Sequence, residues 1–435
     1  MKPARRRQSA RVSRAGLVCA TQEDGAGAAV DGNEGQKPEW KGTMRQAMLE
    51  VALQGLPPRF GRVQRGSVLE LNIGGELAEV EPTPSLLSVQ APRAVTLPKL
   101  LRALDTAAKD PRIAGVFIQV KPLACGWAKL EELRRSIKRV KDSGKFTVAY
   151  AELASMKEYY VMSCCEEIYV PPAAYMSLRG VAVSGSFLRG VLEKVGVEPQ
   201  VQRIGKYKSA GDQIGRKDMS DAQREVLGTI LEDVTENFIT KVAIDRGKTP
   251  DEVSAFLDRG EFVVDKLVES GIVTGAKYFD ELMTSFCKRT GGRSDAVLKV
   301  SLKQYLRTPS SLFRSRPAAS ASGGKPGKPG VIAMLRTSGA ISRGSGGSGI
   351  QSDDFVKEVR KLRKLKAVKA VVLRVDSPGG DALASDLMWR ELKLLCEKKP
   401  VIASMSDVAA SGGYYMSMVF SFNTSEAARM KSGDV

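Results

Sequence analysis

Two glycine-bearing turns near the end of the chain have the residue types of a nucleophile and its electrostatic support. Ala409-Ala410-Ser411-Gly412-Gly413-Tyr414-Tyr415 follows a strand expected over Val401–Met405 and precedes an apolar helical run. A serine at a strand-to-helix turn stands at the positive end of a helix dipole. Glycines after it let a substrate backbone approach, and their N–H groups can face a developing oxyanion. The same string would also serve as a plain helix cap. Ser377-Pro378-Gly379-Gly380 follows a strand expected over Ala370–Asp376 and opens another helix. Proline stiffens this turn and the glycine pair frees backbone donors. One strand–helix unit separates the two turns, which puts both at the same end of a parallel sheet, where such folds bind ligands.

A nucleophilic serine needs a base, and the chain of 435 residues contains no histidine. That excludes a Ser-His-Asp or Cys-His site built within the chain, together with the usual His-ligated metals. A lysine whose pKa falls on desolvation can replace histidine, but the chain has many lysines and composition does not choose among them. The six cysteines, Cys19, Cys125, Cys164, Cys165, Cys287 and Cys396, form no CxxC pair. In a chain this large they read as free buried thiols rather than a disulfide framework or a zinc site.

The elements that must carry these turns follow a βαβα pattern. Ser67–Ile73 alternates like a half-buried strand, and Leu97–Ala108 has helical spacing of Leu and Ala. Gly115–Val120 is a short apolar strand, Ala128–Val140 an amphipathic helix and Phe146–Tyr150 a further strand. Residues 216–247 read as one long helix. Thr249-Pro250-Asp251-Glu252 reads as the capped start of the next. The alternation predicts an α/β fold with a mainly parallel sheet. Pro309–Gly330, rich in Pro, Gly and Ser, reads as a linker, and a strand over Val331–Leu335 follows it.

Shifting the sequence by 255 residues lays Gly115–Val120 on Ala370–Val375 and Tyr159-Tyr160 on Tyr414-Tyr415. The pattern keeps one register throughout, which indicates duplication. The copies differ at the turns. Lys121–Cys125 stands where the second has Asp376–Gly380, and Met156-Lys157-Glu158 where the second has Ser411-Gly412-Gly413.

The net charge of +18 is uneven. Lys2, Arg5, Arg6, Arg7, Arg11 and Arg14 lie in an acid-free start, and Arg314, Arg316, Lys325 and Lys328 in the linker. No basic stripe interleaved with aromatics is present, so a nucleic-acid role rests on charge alone and no nucleic-acid partner is expected. The Arg- and Ser-rich start has the composition of an organellar transit peptide. Hydrophobic residues make up 43% and charged residues 27%, as in globular proteins. No run is long enough for a spanning helix, so any membrane contact is expected to be peripheral.

The segment Arg203-Ile204-Gly205-Lys206-Tyr207-Lys208-Ser209-Ala210-Gly211-Asp212 resembles the lysine motif of the long, two-repeat signal peptide peptidases (protease IV). DSPGGD and ASGGYY resemble that family's glycine turn and serine motif, and the three motifs occur in the family's order. The resemblance spans roughly Ser67 to Met418 and is nearest to the plant and algal chloroplast branch. It implies a Ser–Lys dyad with Ser411 as nucleophile and Lys208 as general base. It places the oxyanion hole at the N–H groups of Gly412 and of Gly379 or Gly380. The implied fold is ClpP/crotonase-like α/β with tandem duplicated domains. The first domain, 66–308, would carry the lysine and the second, 331–435, the serine, joined by 309–330 and preceded by a transit arm over 1–40. The resemblance implies no cofactor or metal, assembly into a bowl-shaped homo-oligomer (a tetramer), cleavage of signal peptide remnants or other membrane-associated peptides, and a chloroplast, thylakoid-associated location. The family pattern continues well past Met418, so the second domain is expected to be truncated. Two other classes share parts of this pattern. One is a non-catalytic assembly partner, and the other is a crotonase-type acyl-CoA enzyme that would need neither the Ser–Lys pair nor the YKSA string.

Overall fold

The computed structural model describes residues 63–80, 96–290, 297–307 and 330–420. The transit segment and nearly all of the linker expected from sequence lie outside these residues.

The first part builds an all-parallel sheet of six strands in the order β7-β5-β3-β2-β1-β8. They are β1 (Ser67–Gly75), β2 (Ile113–Leu123), β3 (Phe146–Tyr150), β5 (Glu167–Val170), β7 (Gly275–Ala276) and β8 (Lys299–Ser301), with a separate pair β4 (Leu153–Ser155) and β6 (Tyr175–Ser177) beside it. The centre of β2 reads as an almost unbroken apolar run because it is covered on both faces. One face packs on α1 (Leu97–Lys109), α2 (Trp127–Asp142) and α3 (Met156–Met162), through Leu100, Leu104, Leu130, Leu133 and Tyr160. Across the other face Val68, Phe117, Phe146 and Val148 meet Leu282 and Phe286 of a later helix, Phe279–Thr290.

The expected long helix is α4 (Asp221–Arg246), which starts five residues later than its apolar pattern suggests. Ser220 sets the start, because its hydroxyl accepts from the Gln223 N–H at the first turn. Gly247, at φ 63°, ends the helix in a left-handed cap. Helix α5 (Pro250–Arg259) has the expected capping box, with Thr249 and Glu252 bonding each other's backbone. The Phe279–Thr290 helix is α6.

The second part repeats this plan at smaller scale. Strands β9 (Val331–Ser338), β12 (Val368–Ser377) and β13 (Val401–Ala409) form a parallel sheet in the order β13-β12-β9, and β10 (Ile341–Ser342) pairs with β11 (Ile350–Gln351). Helices α7 (Ser352–Lys364) and α8 (Ala382–Cys396) cover one face through Phe355, Val359, Met388 and Leu392. Moved on by 255, the ranges of α1, β2, α2 and β3 fall on α7, β12, α8 and the start of β13. No helix among the described residues is long and apolar enough to cross a membrane.

The two parts meet along a polar seam. Arg374 on β12 has its guanidinium on Glu79 (2.7 Å), on Glu132 of α2 (2.6 Å) and on the Ser404 and Ser406 hydroxyls (3.0 and 2.9 Å). Both Arg374 and Glu79 are buried.

Candidate active site

Ser411 lies two residues past the end of β13 and immediately before α9 (Gly412–Ser417), at φ 49°, ψ −118°. Among the described residues it alone, apart from glycines, has a positive φ. Such a conformation costs roughly 1–3 kcal/mol and persists only where the surroundings enforce it. Here they do. Ala410 N–H donates to the Ser377 carbonyl (3.0 Å), Gly413 N–H to the Ala410 carbonyl (2.9 Å) and Tyr415 N–H to the Ser411 carbonyl (2.8 Å). The Ser411 side chain is exposed and makes no capping hydrogen bond, so a plain helix cap is not its role.

The glycine turn at the end of β12 packs directly against this serine. Gly379 has φ +90°, and a Cβ on it would lie 2.6 Å from Gly412 N, 2.8 Å from the Ala410 carbonyl oxygen and 2.8 Å from Ser411 Cβ. No other residue fits. The Ser377 hydroxyl donates to the Gly339 carbonyl (2.7 Å) and accepts from Gly379 N–H (3.1 Å). Ile341 N–H donates to the Gly379 carbonyl, and Asp381 N–H to the Ile341 carbonyl, which fixes the far side of the turn.

The three glycines of the expected oxyanion hole therefore separate. The N–H of Gly379 is occupied by Ser377. Those of Gly380 and Gly412 have no acceptor among the described residues. Unpaired N–H donors of this kind can stabilise a developing oxyanion.

Lys208 stands apart from this cluster. It is exposed, and no hydrogen bond or ion pair joins it to Ser411 or to any other described residue. Its loop is tied down at Asp212, which takes Arg203 Nη1 (2.8 Å) on one oxygen and the Ser220 hydroxyl (2.9 Å) on the other. The arm around it exposes Val191, Val195, Ile204 and Tyr207.

Sequence reasoning passed over two carboxylates beneath the turns. Asp376 precedes the glycine turn and Asp407 precedes the serine turn, and both contact Lys129 of α2. Their place one and four residues before the turns was the only local signal. Among the described residues no cluster of Cys, Asp and Glu has the geometry of a metal site. A groove of about 820 Å³ between α7 and α8, lined by Lys357, Arg360, Lys361, Lys364 and Arg390 together with Asp353 and Glu391, contains neither turn.

Comparison with known proteins gives the geometry a context. The family model for peptidase family S49 matches residues 139–291 and 393–425, segments that contain Lys208 and Ser411. The chloroplastic serine protease SPPA of Arabidopsis thaliana is 45% identical over 363 residues, 82% of this chain and 51% of that protein. Protease 4 of Salmonella typhi is 28% identical over 325 residues, 73% of this chain and 51% of that one. A candidate protease of Synechocystis sp. is 36% identical over 198 residues, 46% of this chain and 68% of its own length. The chain spans about half the length of the Arabidopsis and Salmonella relatives.

Proposed function

Because this chain belongs to peptidase family S49, we propose that it is a serine endopeptidase of the signal peptide peptidase type, with Ser411 as nucleophile and Lys208 as general base. The observation that carries the reading is the strained Ser411 turn, which packs against Gly379 and is followed by the unpaired N–H of Gly412. Lys208 takes the Ser411 proton as the serine oxygen attacks a peptide carbonyl. The N–H groups of Gly380 and Gly412 hold the oxyanion. Its collapse breaks the peptide C–N bond, and the lysine returns the proton to the leaving amine. Water, giving its proton to the lysine, then hydrolyses the acyl-serine ester and frees Ser411.

In this reading the dyad closes in a homo-oligomer, a tetramer. The exposed Val191, Val195, Ile204 and Tyr207 beside Lys208 supply apolar surface for a second copy. The matching element ranges support a tandem duplication of a ClpP/crotonase-like domain, with domains over 66–308 and 331–435. Substrates are signal peptide remnants or other membrane-associated peptides, met through peripheral contact that the basic α7–α8 groove would favour. A chloroplast location, at the thylakoid, follows the Arabidopsis relative and the basic, acid-free start of the chain.

The test is labelling of the purified chain by a fluorophosphonate probe. Ser411→Ala and Lys208→Ala should each abolish it. Labelling that persists in Ser411→Ala overturns the assignment of the nucleophile. Labelling retained in Lys208→Ala removes the lysine as base. A folded wild-type chain that never labels is instead the non-catalytic assembly partner.

A further inference from the structure

Lys129 is a lysine of the first sheet's helical layer, yet both of its acidic partners belong to the second part. Its Nζ lies 2.8 Å from Asp376 Oδ2 and 3.4 Å from Asp407 Oδ2, and its side chain is 5% exposed. Asp376 is the residue before Ser377-Pro378-Gly379-Gly380. Asp407 stands four residues before Ser411. One ammonium thus bridges the strand ends that carry the two turns.

Backbone bonds hold the same three residues in register. Asp376 Oδ1 accepts from Val408 N–H (3.2 Å), which ties the end of β12 to that of β13. Asp407 Oδ2 accepts from Gly126 N–H (2.7 Å) and its Oδ1 from Lys129 N–H (3.1 Å), so this carboxylate caps the first turn of α2. Helix α2 has no side-chain cap of its own. Gly126 permits the approach, because a Cβ there would lie 2.5 Å from the Asp407 carboxyl carbon. Burial alone would lower the pKa of Lys129. The hydrogen bond to Asp376 and the charges of both aspartates outweigh it and hold the ammonium above its ordinary pKa. Lys129 is therefore unsuited to be a base, and its role is to hold position.

We propose that Lys129, through Asp376 and Asp407, is a positioning residue that sets the distance between the Gly380 N–H on one turn and Ser411 with the Gly412 N–H on the other. The proposal rests on the reading of Ser411 as nucleophile. Without the ammonium, two carboxylates on adjacent strand ends face each other with no cation between them. Their repulsion parts the turns they precede.

The experiment measures peptide hydrolysis and the rate of fluorophosphonate labelling of the full chain for Lys129→Met, Lys129→Arg, Asp376→Asn and Ser411→Ala, with thermal melts as the check on folding. In folded Lys129→Met, kcat and labelling rate should fall about tenfold or more while KM changes little, as expected when reacting groups are misplaced by a fraction of an ångström. Lys129→Arg should recover part of the loss. Asp376→Asn, which keeps the shape and removes one charge, should fall in the same direction and remains informative if Lys129→Met does not fold. Unchanged kcat in a folded Lys129→Met or Asp376→Asn overturns the proposal. So does a loss that only tracks the folded fraction, with no recovery in Lys129→Arg. Ser411→Ala separates the two readings. If it is inactive while the Lys129 variants are not impaired, only the positioning role fails. If it still hydrolyses and labels, or the wild-type chain does neither, the nucleophile falls and the positioning role falls with it.

Discussion

Replacing Gly379 with alanine adds one carbon between the two turns of the proposed site. That carbon would sit 2.6 Å from Gly412 N and 2.8 Å from Ser411 Cβ. Ordinary contacts begin near 3.5 Å, so the turns must part by most of an ångström. The neighbouring atoms are backbone and a Cβ, which cannot rotate away. Holding alanine at φ +90° costs about 1–2 kcal/mol, and overpacking typically adds about 1–3 kcal/mol. A displacement of this size at reacting groups reduces rate about a hundredfold. Gly144→Ala is the control. It has a similar φ of +81° with nothing within 4 Å, so it bears the backbone cost alone. Fluorophosphonate labelling should collapse in Gly379→Ala and stay at the wild-type rate in Gly144→Ala, with both melting below wild type. A folded Gly379→Ala that labels as fast as wild type would refute the reasoning. It would mean that the turns are not braced against each other.

Two further outcomes test the frame around the site. Arg374→Met strands the buried Glu79 carboxylate, and breaking such a pair costs about 3–5 kcal/mol. Urea unfolding should show the loss, and Glu79→Gln added to it should restore much of the stability; a loss below about 1 kcal/mol would mean that the pair behaves as a surface bridge. Burial pulls Lys145 down to about 8 from an ordinary value of 10.5, and its ammonium donates to the Asp110 and Ile113 carbonyls. The unfolded chain then binds more protons between those values, so stability climbs with pH across that window. The urea midpoint of Lys145→Met, relative to wild type, should lose this slope; an identical slope in both would assign it to another group.

The strands and helices were legible in the sequence wherever local pattern decides them. Phe146–Tyr150 and the capping box at Thr249 fall as read, and the strand expected over Ser67–Ile73 runs on to Gly75. The α4 start was misplaced because the apolar spacing extends past Ser220, and the cap hydrogen bond overrules periodicity there. Both turns of the site were legible as glycine strings, since the close backbone approach at Gly379 and Gly413 leaves no room for a Cβ. The division of labour between Gly379 and Gly380 was not, because it depends on where the Ser377 hydroxyl points. The Lys129–Asp376–Asp407 contacts join residues that no sequence window contains together. The single chain also leaves Lys208 apart from Ser411, a relation that no motif expresses.

The cap on α2 has a meaning in time as well as in space. The helix emerges from the ribosome with Gly126 at its start and no local side chain to close it. Its capping carboxylate, Asp407, follows 281 residues after Gly126, which at ordinary rates of synthesis is on the order of tens of seconds. Until then the first turn of α2 is an open end. Its closing requires the two parts to be packed together. The Gly126 and Lys129 amides should exchange with solvent freely before that closing and be protected after it.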